Sequence, residues 1–296
     1  MRRTPDSSKI DPVLLSGFVG RGIRRIQMIH LLTALACEAK PIIEYYHLSR
    51  LMSETEFSVY GNESLTLTVA GVGTSSMAAA VAYTHVLFGK SKQSVWLNVG
   101  VAGHRSHEIG KVFVVHKIND GSSGKNWYPS MVYRPGCATE SLQTVARQEV
   151  NYSDTVLYDM EGSGFYESAI RFSCSELVQC IKVVSDNALS PTTKLQPKFV
   201  SELIINNLVT IEDLIEQLVA ISNTLPKLSP MLIDDFVERW HFSVQQKIQL
   251  GAGLNRWKLL SGSRSLNFEQ LNNYKTSKQV LNWLECEIDQ LPIDIS

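Results

Sequence analysis

Three carboxylates each follow a short apolar run. They are Glu38 in Ala34-Leu35-Ala36-Cys37-Glu38, Glu161 in Tyr158-Asp159-Met160-Glu161-Gly162, and Asp186 in Val184-Ser185-Asp186-Asn187. Acids in such places can cap helices, hold a hard cation, or exchange protons with a substrate. Two glycine-bearing segments accompany them. Ala70-Gly71-Val72-Gly73-Thr74-Ser75-Ser76 has the form of a strand, a turn and a helix start, whose free N–H groups suit an anion or a hydroxyl. It lacks the third glycine of a dinucleotide fingerprint. Asn98-Val99-Gly100-Val101-Ala102-Gly103 is either a tight turn or backbone left bare for a flat ligand. His104 and His107 are the one close histidine pair, and their loop supplies no third ligand. The metal reading is therefore weak.

These residues need strands and helices to bring them together. Ile29–Leu35, Leu65–Ala70, Ser94–Val101, Lys111–Ile118 and Cys180–Ser185 are apolar runs of strand length, with Phe57–Tyr60 and Thr155–Tyr158 as shorter ones. Helices are expected over Cys37–Arg50, Ser76–Phe88, Glu161–Phe172 and Phe199–Leu218, and a loop from Asn119 to Arg147. Strands alternating with helices predict an α/β fold of three layers, helices covering both faces of a central mixed, largely parallel sheet. In open sheets of this kind the ligand crevice lies at the carboxyl ends of the strands, where all these segments sit.

Residues 28–223 are expected to form that domain. Pro226, Ser229 and Pro230 punctuate a linker into a helical extension over 224–296, where Trp240, Trp257 and Trp283 among leucines suggest helices that pack on the main domain or, alternatively, cover a neighbouring subunit's site or bind a partner. Residues 1–27, with five arginines, suggest a flexible tail, a targeting peptide or sequence upstream of a start at Met28; the tail is preferred. A net charge of −1 without a basic run speaks against a nucleic-acid partner. Five scattered cysteines without a CxxC pair suit a reduced, cytoplasmic protein. No apolar run reaches the roughly 20 residues of a membrane span.

In order and approximate spacing the segments from Ile29 to Leu218 resemble the nucleoside phosphorylase and nucleosidase superfamily, most specifically in DMEG and in SDN one strand later. The likeness is greatest to nucleosidases acting on methylthioadenosine and S-adenosylhomocysteine. It implies cleavage of a purine–ribose bond without a metal or other cofactor. Asp186 would be the general acid toward the purine, oriented by Ser185 and Asn187, a role for which it must carry a proton. Glu38 would deprotonate the attacking water. Glu161 would grip the ribose hydroxyls and Met160 would pack on the sugar. Asp159, Gly73, Thr74, Ser76, Val101, Ala102 and Gly103 would line the substrate. A homodimer is also implied.

The chain departs from that pattern in three ways. The arginines that clamp phosphate in phosphorylases have no clear match, and Lys182 stands where an arginine is common. Thr74-Ser75-Ser76 resembles the phosphate-side turn, so phosphate remains an alternative nucleophile to water. The segment before DMEG is short, which leaves the aromatic that stacks on the base to Trp127, Tyr128 or Tyr133. Third after hydrolase and phosphorylase stands a binding protein without turnover.

Overall fold

A computed structural model describes residues 28–52, 56–89, 91–191, 196–225, 230–261, 266 and 270–291. The expected tail over 1–27 and the punctuation at Pro226 and Ser229 lie outside them. The chain divides into two compact units between Asn223 and Thr224.

In the first unit β1 (Ile29–Thr33) lies between β4 (Leu65–Val69) and β5 (Val95–His104), parallel to both. β5 runs parallel to β10 (Val178–Asn187) on its other side. Strands buried on both faces have no reason to alternate, hence the continuous apolar runs. β6 (Val112–Asp120) is antiparallel to β10, and β8 (Ala138–Thr144) is parallel to β6. β9 (Leu157–Asp159) is parallel to β8 and antiparallel to β5. The path β10–β6–β8–β9–β5 returns to β10, so this part of the sheet closes on itself. β3 (Ser58–Gly61) and β2 (Ser49–Arg50) extend the far edge, and β7 (Asn126–Trp127) pairs with β6. Parallel and antiparallel pairings number five each, so the sheet is mixed, as expected, but not largely parallel.

β8 falls in the stretch read as loop. Its sequence, ATESLQT, carries one large apolar side chain, Leu142, and that residue is buried. The strand exists because neighbours on both sides pair with it, which outweighs weak local preference. The GVAG segment, for which a tight turn was one reading, is part of β5.

Helix α1 (Ala36–Tyr45) is shorter than expected, because His47 takes a left-handed φ of 51° and the chain then enters β2. Pro41 sits in the second turn of α1 and has no N–H for the carbonyl of Cys37. The Ser201 hydroxyl donates to that carbonyl instead, at 2.7 Å. α2 (Thr74–Phe88) and α3 (Gly162–Ala169) pack on each other. Leu32, Met77, Trp96, Phe165 and Val184 join these helices to the sheet in one core. The long helix expected over 199–218 is two, α4 (Pro197–Ile205) and α5 (Leu208–Thr224). Asn207 breaks it: its side-chain amide donates to the carbonyls of Leu203 and Gly110, a local alternative to continued helix.

The second unit has α6 (Pro230–Arg239), α7 (Val244–Ser261) and α8 (Ser277–Asp289), making eight α-helices among the described residues. It has its own core, which includes Phe236, Leu250, Trp257, Val280 and Trp283. Trp240 packs against that core and donates from its indole N–H to the Tyr274 carbonyl at 2.8 Å.

Ser201→Ala leaves the Cys37 carbonyl without its donor and is expected to lower unfolding free energy by about 1 kcal/mol. In a Pro41→Ala background the helix supplies its own N–H, so the loss should nearly vanish. Urea unfolding of the four proteins of this cycle reads the coupling, and additive effects would refute it.

Candidate active site

The strand ends bury an ion pair. Lys182 on β10 places Nζ 2.9 Å from Asp159 Oδ2 at the end of β9, with side chains 2% and 1% exposed. Burial opposes the ammonium's charge, but Asp159, the Cys180 thiol and Glu161 outweigh it and hold Lys182 above its usual range. Asp159 is fixed further. Its Oδ1 accepts from the Thr144 hydroxyl at 2.8 Å and its Oδ2 from the Gly162 N–H at 2.8 Å. Thr144 itself accepts from the Ser163 N–H at 2.9 Å, which ties β8 to the start of α3.

Two more carboxylates surround this pair. Glu161 precedes α3, and its Oε1 accepts from the Gly73 N–H at 2.7 Å. That bond crosses to the glycine turn before α2 and sets Gly73 beside Glu161, with Thr74 and Ser76 in the first turn of the helix that follows. Glu161 Oε2 takes the Met160 N–H at 3.3 Å. Burial, then the neighbouring Asp159, push Glu161 up to about 7, against the pull of Lys182. Glu38 in α1 turns back on its own helix start. Its Oε2 accepts from the N–H groups of Ala34 and Leu35 at 3.0 and 2.8 Å, and its Oε1 from Val101 at 3.0 Å. Burial raises Glu38, and these N–H groups and Lys182 oppose the rise. Gly100 makes room, since a Cβ there would lie 2.9 Å from Glu38 Oε1 and 3.4 Å from Lys182 Nζ.

Asp186 lies where the β10–β5 register shifts between Val184 and Asp186, pairing with Gly103. The irregularity aims the Ser185 hydroxyl at Asp186 Oδ1, 2.6 Å away, and leaves it 3.4 Å from the Ala102 carbonyl. Asn187 does not orient Asp186 as the sequence suggested. Its amide N–H donates to the His107 carbonyl at 2.8 Å, and its oxygen accepts from the N–H groups of Leu189 and Ser190. Asn187 thus shapes the following turn.

The aromatic beside Asp186 is Tyr152, which sequence reasoning missed. Its hydroxyl donates to Asp186 Oδ2. Trp127 packs against the core and Tyr128 is exposed. Tyr133 is partly buried, and its phenol is raised by desolvation. Thr144 and Tyr152 gave no signal in sequence because each lies in the stretch before DMEG that matched no pattern. A lone tyrosine beside an asparagine in a short loop was the available clue to Tyr152.

β8 brings Glu140 to the histidine pair, so His104, His107 and Glu140 present ligand-type atoms within 4.8 Å of one another. The tautomer works against a metal there. His104 Nδ1 accepts from the N–H groups of Ser106 and His107 at 3.0 and 2.9 Å. The ring proton must then be on Nε2, which has no lone pair to give. Burial, then His107, lower His104 to about 4, so the neutral ring persists at pH 7.

No protein-family profile and no curated protein matches the chain by sequence. Solved structures do match in shape. A methylthioadenosine nucleosidase of Helicobacter pylori, solved as a mutant with 5′-methylthioadenosine in its active site, is 13% identical with a TM-score of 0.53. The match covers 64% of this chain and 99% of that one. Futalosine hydrolase of the same organism is 13% identical over 65% of this chain and 98% of its own, with a TM-score of 0.51. The 5′-methylthioadenosine nucleosidase of Arabidopsis thaliana is 16% identical over 69% of this chain and 98% of its own, with a TM-score of 0.52. The chain carries the fold of these nucleosidases.

Glu161 links stability to pH. Its folded value of about 7 exceeds the ordinary 4.5, so the folded state holds a proton that the unfolded state releases between those values. Its contribution is complete below pH 4.5 and is lost as pH rises through 7. Denaturation midpoints measured across this window should fall for the wild type and fall less for Glu161→Gln. Equal slopes would show that Glu161 titrates normally.

Proposed function

We propose that this chain hydrolyses the N-glycosidic bond of a purine nucleoside of the adenosine type, with or without a 5′ substituent, to free base and a ribose derivative. The observation that carries the reading is the charge of the site. One buried ammonium, Lys182, is already paired with Asp159, and two further carboxylates, Glu38 and Glu161, stand around it. Ionised carboxylates there would repel a phosphate dianion, whereas they would leave neutral water unaffected and would stabilise a developing cation. The N–H of Gly73, at the start of α2, is also taken by Glu161 rather than left for an anion.

Cleavage puts positive charge on the ribose and negative charge on the base. Glu161 has one N–H on each oxygen, so each keeps a lone pair for one of two neighbouring ribose hydroxyls. That grip tightens as the sugar becomes cationic, which is where binding accelerates a reaction. Glu38 has three N–H donors on its two oxygens and keeps acceptor capacity on Oε1 for a water. Met160 packs on the sugar. Asp186, oriented by Ser185, faces the base as its acid. Thr74, Ser76, Val101, Ala102 and Gly103 form the walls. The neighbours' names support this reading, one having 5′-methylthioadenosine in its active site and another being called futalosine hydrolase. The reading includes a cytoplasmic homodimer, on the strength of the superfamily resemblance and five free cysteines. Among the described residues no helix is long and apolar enough to cross a membrane.

Base release from a panel of purine nucleosides, 5′-thio-substituted adenosines included, is the test. Wild type should release base. Asp186→Asn and Glu38→Gln should each lose on the order of 10² to 10⁴-fold. Activity should rise as pH passes through about 7, where Glu161 loses its proton. Tight binding of the same nucleosides without any release would make this a binding protein instead.

A further inference from the structure

Tyr152 is a buried side chain in an exposed loop. From Ala146 to Thr155 every other residue is exposed or half-buried, and the loop between β8 and β9 has no helix or strand. Tyr152 itself is 2% exposed. Its backbone has a φ of 46°, left-handed, which is unfavourable for a tyrosine. Something must repay that conformation, and the side chain's contacts are what the structure offers.

Those contacts occupy the place this reading gives to the base. The hydroxyl donates to Asp186 Oδ2. The ring lies against the bare backbone of Gly103, where a Cβ would come within 2.9 Å of Tyr152 Cε1 and 2.8 Å of Asp186 Oδ2. Tyr158 meets the ring edge-on at 6.2 Å between centroids. With Ser185 on Oδ1 and Tyr152 on Oδ2, both oxygens of Asp186 have protein donors. Burial and the bond to Asp186 raise the Tyr152 phenol, which keeps its proton on the donor side.

We propose that Tyr152 is a plug that stands in for the leaving base: a flat aromatic ring on Gly103 with a hydrogen-bonding edge on Asp186, which a substrate must displace. The proposal rests on the reading of this site as the place where the base sits. The tyrosine thereby sets specificity, because a ligand gains entry only if it replaces the phenol's bond to Asp186 with one of its own. A planar nitrogen heterocycle can both lie flat on Gly103 and hydrogen-bond Asp186, whereas a sugar supplies the bond without the flat face and an aliphatic group supplies neither. The left-handed backbone is relieved when the loop opens, which offsets part of the cost of opening.

Tyr152→Phe keeps the ring and removes the latch. With adenine and 5′-methylthioadenosine as probes, calorimetry on the full chain should show binding about tenfold tighter than wild type, or more. In turnover KM should fall. Amide hydrogen exchange over 146–155 supplies a readout independent of any reaction. It should quicken in Tyr152→Phe and in Asp186→Ala, because either change removes one partner of the same bond. Where the wild type binds a probe, unchanged or weaker binding by Tyr152→Phe overturns the plug, as does unchanged exchange in both variants. If neither probe binds either protein while exchange still quickens in both variants, the latch stands and the purine reading of the site falls.

Discussion

A lysine and an aspartate lie wholly out of water at the strand ends, and the rest of the site is arranged around them. Removing either partner of such a pair costs about 3–5 kcal/mol, since the other is left charged in the interior. Lys182 and Asp159 therefore need each other, and both need the strands that bring them together. β10 and β9 do not pair directly; β5 lies between them on one side, and β6 with β8 on the other. Closing the sheet into that loop brings residues 23 positions apart into a bond of 2.9 Å.

The pair also sets the character of its neighbours. One ammonium faces three carboxylates, and burial first, then Asp159, raises Glu161 to about 7. Backbone N–H groups supply the remaining compensation: Ala34, Leu35 and Val101 for Glu38, Gly73 for Glu161 and Gly162 for Asp159. These fixed dipoles need no reorganisation when charge develops on a substrate, the property that makes preorganised sites effective. Bare backbone at Gly100 and Gly103 is what lets the side chains approach so closely.

Much of this was legible in sequence, for a physical reason. β1, β5 and β10 are buried on both faces and so stand out as apolar runs, and Glu38, Glu161 and Asp186 stand out as acids beside them. What failed depended on contacts distant in sequence. β8 is polar and owes its strand conformation to β6 and β9. The break at Asn207 depends on the Gly110 carbonyl as well as on its own helix. Asn187 was given a part beside Asp186 by proximity in the chain, but the loop it caps draws its side chain elsewhere. Tyr152 carries no periodicity, and only the folded loop reveals that it reaches Asp186. At 13–16% identity the matched structures share the fold of this chain.

The central claim is that this ring of acids around a paired lysine admits water and turns phosphate away. Mass spectrometry of the sugar product addresses it directly, with 5′-methylthioadenosine as substrate and inorganic phosphate at saturating concentration. The account predicts the free 5-methylthioribose, formed at a rate that phosphate does not change. A 1-phosphate ester of the sugar would contradict it.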